Sequence, residues 1–141
     1  MEQATSSAGE RMVIILHSGA YDRVSYALSM AIIGLALGWQ VDMLLTYGGL
    51  RRFTKGNLGG LGEETGVAER KQIERGLSTG GIKPLEAYLA DARALNLKVH
   101  ACPNAMAALN ISRDQLVPEV DQVTGLTSFL GAAQGAMTWY V

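Results

Sequence analysis

Read for its alternation of apolar and polar positions, the chain divides into short apolar runs and longer amphipathic stretches. Met12 to His17 gives five apolar residues and then a polar one, with no in/out alternation. That is the pattern of a parallel strand covered on both faces. Ser18-Gly19-Ala20 makes a tight connection to a helix from about Tyr21 to Leu37, with Asp22 in the first turn, where a carboxylate suits the helix dipole. The segment from Ala27 to Leu37 is apolar almost all round, which predicts burial on more than one side, against the sheet and against a second subunit. Gly38 is the stop signal. A second strand follows from Val41 to Tyr47, ended by Gly48-Gly49, and a short helix over Leu50 to Phe53.

The glycine-rich stretch 56–66 lacks the Gly-Lys-Ser/Thr of a phosphate-binding loop and reads as a flexible lid or a plain surface loop. Val67 to Leu77 is a charged helix. Pro84 opens the next helix, with Leu85, Tyr88, Leu89, Ala92 and Leu95 at helical spacing and Asn96 as its cap. Leu97 to Cys102 is a short buried strand. Pro103 stops its ladder and favours a helix start, near Ala105, running through Leu109. Ser112 caps a further short helix. Glu119 to Val123 is a short strand, Thr124 to Ala133 a helix capped by Thr124, and Ala136 to Val141 the last strand. Strands alternating with helices in this way predict a parallel sheet with helices on both faces, a three-layer α/β/α sandwich with a five-stranded parallel sheet. Residues 1–10, polar and small, read as a loose tail; residues 11–141 form one domain.

Composition narrows the field. The chain of 141 residues is 48% hydrophobic and 18% charged, enough for one domain with a sizeable core. A net charge of −1 offers no basic excess for nucleic acid. The longest apolar run, Ala27 to Trp39, falls short of the about 20 residues that a membrane span needs. The first ten residues lack the basic and apolar pattern of a signal peptide, so the expected compartment is the cytoplasm. No His/Asp/Glu cluster has metal spacing, no cofactor motif stands out, and Gly-x-Ser-x-Gly is absent.

Chemistry concentrates on Cys102, the single cysteine. At a strand-to-helix junction, free backbone N–H groups and the positive helix end point at its sulfur and stabilise an anion, and thiolate is the reactive form of cysteine. The plain alternative is a small buried hydrophobe. His17-Ser18-Gly19, Tyr47-Gly48-Gly49 and Cys102-Pro103-Asn104 all fall at the carboxyl ends of strands, where α/β sheets place their ligands. His17 either steers the thiolate or satisfies a backbone group. Tyr21 and Tyr47 either line a pocket or pack in the core or rim. Asn104 either binds an anion or caps a helix. His100 reads as packing.

The chain resembles the DsrE/DsrF-like family, small sulfur-relay proteins that include the subunits of the DsrEFH complex, some labelled peroxiredoxin-like. The resemblance spans nearly the whole chain. It rests on Ser18-Gly19-x-Tyr21-Asp22-Arg23, Thr46-Tyr47-Gly48-Gly49-Leu50, Ala101-Cys102-x-x-x-Met106 and Val120-Asp121-x-Val123-x-Gly125-Leu126, in that order. It implies a DsrEFH-like five-stranded parallel sheet, homotrimers or hexamers, and a cysteine that carries a persulfide, a position only Cys102 matches. The stretch 56–66 and the charged helix after it look like an insertion relative to the smallest members. The expected function is a sulfurtransferase-like relay between donor and acceptor proteins. The alternative is a non-catalytic oligomeric module that docks partners.

Overall fold

In the computed structural model, which describes residues 9–141, five strands form one sheet and every ladder is parallel. In chain order the elements are β1 (Arg11–Leu16), α1 (Tyr21–Ala36), β2 (Gln40–Leu45), α2 (Tyr47–Arg52), α3 (Val67–Thr79), α4 (Leu85–Ala94), β3 (Lys98–Ala101), α5 (Pro103–Leu109), a 3-10 turn (Arg113–Gln115), β4 (Gln122–Val123), α6 (Leu126–Ala132) and β5 (Met137–Tyr140). The spatial order is β4-β3-β2-β1-β5. Each step outward from β1 to β4 crosses in one direction and the last returns across the sheet. With right-handed crossovers, α1 and α4 therefore cover one face and α6 the other. The three-layer architecture read from the sequence is the one observed.

The expected reason holds at β1, where Val13, Ile14 and Leu16 are completely buried, as a strand covered on both sides requires. Strand parity assigns the faces. Met12, Ile14, Leu16, Met43, Leu45 and Val99 share the face under α1, all buried. Gly34 of α1 lets that helix come close: a Cβ there would lie 2.9 Å from the Met12 methyl. Arg11, Asp42 and His100 share the opposite face, under α6. Gly38 ends α1 at φ +89, a left-handed conformation open to glycine at no steric cost.

Several expected boundaries are corrected. Tyr47 does not end β2. It is the first residue of α2, with Thr46 as N-cap, so Gly48 and Gly49 lie inside a helix and not in a strand-ending turn. Their lack of side chains is used for close packing: a Cβ on Gly49 would run into the Leu16 carbonyl oxygen. The helix after β3 begins at Pro103, not Ala105, because Cys102 itself takes the N-cap place. Gly125, not Thr124, is the N-cap of α6, because the Thr124 hydroxyl is turned toward His100. Ser112 is the N-cap as read, and the structure adds a capping box with Gln115. The N-terminal tail, apart from residues 9 and 10, lies outside the described residues. No helix among the described residues is long and apolar enough to cross a membrane.

Candidate functional site

Cys102 leaves the sheet where β3 ends. Its N–H still donates to Leu45 O of β2 at 3.0 Å, and its carbonyl accepts from Met106 N–H at 3.0 Å, closing the first turn of α5. The backbone is extended (φ −81, ψ 118), and the thiol makes no capping hydrogen bond. Pro103 has no N–H, so the N–H groups of the next residues are the open donors of this helix end. The residue is 6% exposed and belongs to the apolar core. It is a free thiol at the predicted junction, sheltered rather than open. Asn104 is exposed on the first turn of α5.

The other predicted residues part into four settings. His17 is exposed just beyond β1 and stands between two tyrosine rings, 5.4 Å from Tyr47 and 5.7 Å from Tyr140, centroid to centroid. Its backbone is engaged: the N–H donates to Val141 O at 2.8 Å and the carbonyl accepts from Gly49 N–H at 3.0 Å. Tyr47 sits at φ +46, a conformation uncommon outside glycine. Ser18 Oγ accepts from Ala20 N–H at 3.1 Å, a local turn contact. Tyr21 is buried in the core and does not line the cleft beside Gly19 and Gly48, and its burial raises its pKa. Only Gly19 and Gly48 line the cleft of about 240 Å³ at the carboxyl ends of β1 and β2; the rest of its wall is Arg51, Arg52 and residues from 56 to 64. Cys102 is not part of that wall.

The cleft is built by residues that sequence reasoning passed over. Arg52 is 4% exposed. Its Nε donates to Gly19 O at 3.0 Å, and its other nitrogens donate to Gly19 O (2.7 Å), Leu61 O (2.9 Å), Asn57 O (3.2 Å) and Gly60 O. The stretch 56–66 is thus wrapped around one guanidinium. Thr65 pins its far end by accepting from Tyr21 N–H at 2.9 Å. Glu64 Oε1 accepts from Gly19 N–H at 3.1 Å, and its other oxygen lies 3.9 Å from Arg51. A Cβ on Gly48 would collide with that carboxylate. Two adjacent arginines after Gly-Gly were visible in the sequence, but which of them turns inward depends on the helical phase of α2.

A second polar group lies under α6. His100 Nε2 is 2.8 Å from Asp42 Oδ1, and Nδ1 is 2.8 Å from Thr124 Oγ1. An ionised Asp42 only accepts, which puts a proton on Nε2. Arg11 joins Asp42 at 3.2 Å and also reaches Ala132 O at the end of α6. Burial pushes the Asp42 pKa up, but the hydrogen bonds from His100 and Arg11 outweigh it and hold the carboxyl below its ordinary range. The Phe129 ring meets His100 edge-on at 5.3 Å. His100 therefore packs, as read, and does so through a hydrogen-bonded chain. Among the described residues no three His, Cys, Asp or Glu side chains converge as metal ligands.

No family model matches the chain, and no curated protein matches it. Solved structures do. MTH1491, a protein of unknown function from Methanobacterium thermoautotrophicum, superposes with a TM-score of 0.63 at 16% identity, over 94% of this chain and 99% of that one. BT1422, a conserved protein of unknown function from Bacteroides thetaiotaomicron, gives 0.61 at 12% identity, over 96% and 97%. The ychN protein of E. coli gives 0.56 at 14% identity, over 93% and 99%. At such identities the likeness speaks for the fold alone, a five-stranded parallel α/β sandwich shared over more than nine-tenths of this chain.

Proposed function

We propose that the protein is a DsrE/DsrF-like sulfur carrier that holds a persulfide on Cys102. The observation that carries this reading is the place of its single thiol, at the carboxyl end of β3 and on the N-cap of α5, with open N–H donors in the following turn. In the relay, the Cys102 thiolate attacks the outer sulfur of a donor persulfide. A new S–S bond forms to Cys102, the donor's S–S bond breaks, and the donor leaves as a thiolate. An acceptor thiolate then takes the same outer sulfur and returns Cys102 as thiolate. No net oxidation occurs, so neither a metal nor a second cysteine is required. The reading fits a reducing cytoplasm, where a lone thiol stays free.

The test is intact-mass measurement after incubation with a small-molecule persulfide. The native protein should gain one sulfur atom, and Cys102→Ser should gain none. A native protein that stays unmodified, while its denatured form reacts with an alkylating reagent, would show the thiol to be sealed and end the relay proposal.

A second reading has its own support: an oligomeric module that docks partners. Leu126 and Leu130 of α6 and Met137, Trp139 and Tyr140 of β5 are all exposed, and so are Tyr26 and Ile33 of α1. Apolar residues gathered on an edge strand and its neighbouring helix suit burial against further copies, as a trimer or hexamer. Light scattering after size exclusion checks it, and a stable monomer at high concentration would count against it.

A further inference from the structure

We propose that the cleft beside Gly19 and Gly48 is a binding site for a small carboxylate ligand, a place that the chain's own Glu64 takes in this structure. The inference is independent of Cys102, which lies outside the cleft. Its first support is Arg52. Buried charges are ordinarily paired, yet all five Arg52 hydrogen bonds go to neutral carbonyl oxygens, and no carboxylate forms an ion pair with it among the described residues. The cleft wall thus carries two arginines against Glu63 and Glu64, with Glu86 acting on Arg52 through space, and the wall gains a positive excess only when Glu64 turns away. Arg51, half exposed at the same wall, contributes to that excess.

The second support is how Glu64 lies. Its carboxylate takes the Gly19 N–H and rests over Gly48, where any side chain would collide with it. A Cβ on Gly19 would meet the Gly48 carbonyl oxygen first, at 2.5 Å, and the same carboxylate at 2.8 Å. Gly48 is thus bare where a carboxylate rests, beside the Gly19 N–H, so the cradle admits that shape. The occupant is weakly kept. The Glu64 side chain is 38% exposed, its nearest cation is 3.9 Å away, and it stands on a loop. A ligand carboxylate can take the same N–H and the same arginine field while Glu64 turns out into water. The remaining volume, about 240 Å³, accommodates the body of a small organic acid.

Acetate is the probe, read by the backbone amide signals of Gly19 and Gly48 in the folded protein. Glu64→Ala should show saturable shifts at both, with an apparent affinity at least tenfold above that of the unsubstituted chain. Glu64→Gln refills the cradle with an uncharged amide and should gain nothing. Arg51→Gln added to Glu64→Ala should weaken acetate severalfold. Inorganic phosphate is the control anion: phosphate saturating these amides where acetate does not would overturn the carboxylate assignment. Folded Glu64→Ala with no saturable acetate shift would overturn the site itself. Should Glu64→Ala not fold, acetate is titrated into the unsubstituted chain, where a Gly19 amide unmoved at molar acetate has the same meaning. None of these readouts involves the thiol, so they stand or fall apart from the relay.

Discussion

The same strands build two unlike faces. Under α1 and α4, the positions of one parity are apolar throughout: Met12, Ile14, Leu16, Met43, Leu45 and Val99. Under α6, the other parity carries Arg11, Asp42 and His100 in a hydrogen-bonded row. The difference follows the helices. α1 has sixteen residues and buries six of them, so area alone fixes it to the sheet. α6 has seven residues and buries only Phe129. A helix that short gains little from area, and its position is set by directional contacts: Thr124 to His100 before its start, and Arg11 to Ala132 O at its end. Burial holds the first face together, and hydrogen bonding sets the geometry of the second.

Breaking the apolar face should give the largest effect. Leu45→Ala removes a fully buried side chain and should cost about 2–5 kcal/mol of unfolding free energy in denaturant titration. A loss under about 1 kcal/mol would mean that this face relaxes around a cavity, against the close packing inferred for it.

On the polar face, Asp42→Ala strands the His100 Nε2 and should cost about 1–3 kcal/mol. Asp42→Leu combined with His100→Leu should cost less than the sum of the two single changes, because neither partner is then left unpaired. Strict additivity in that cycle would show that the two side chains act separately.

Acid should sharpen the contrast. Asp42 has a folded pKa below its unfolded one, so it contributes stability that is fully present above the unfolded value, about 3.9, and is lost as pH falls through the folded value. Asp121 acts in the same direction: burial pushes it up, but Arg93 and the Val99 N–H together outweigh that. Melting temperature followed below about pH 4 should therefore fall less steeply in Asp42→Asn than in the unsubstituted protein. Parallel curves would remove Asp42 from the account.

The smallest effect is expected outside. Leu130→Ala on the exposed side of α6 should change chain stability by no more than about 0.5 kcal/mol. In the docking reading it lowers the assembly state at a fixed concentration. A large loss of stability in a monomeric protein would place Leu130 in the core instead.

Much of the fold was legible because its signals are local. β1 and β2 announce themselves as apolar runs, α1 by its long apolar stretch and the glycine after it, and the short 3-10 turn by its N-cap Ser112. The strand-to-helix junction at Cys102 could be read because proline cannot donate to a ladder. Tyr47 was misread because nothing local shows that it takes a left-handed conformation and starts a helix through two glycines. The site was less legible. Gly19 and Gly48 were picked out, but not what they face. Arg52 and Glu64 sit on a stretch that reads as loop, and Asp42 looks like a stray polar residue in a strand until His100 is laid beside it, fifty-eight positions on.

By itself the sequence determined the order and type of the elements, the parallel sheet and the position of the lone thiol, since each follows from periodicity, capping and proline chemistry within a few residues. Tertiary structure alone decided how far Cys102 is sheltered, which of two neighbouring arginines is buried, and that a distant glutamate rests on two glycines. Those outcomes depend on which residues the crossovers bring together at the carboxyl edge of the sheet, and such encounters between distant residues leave no periodic mark along the chain.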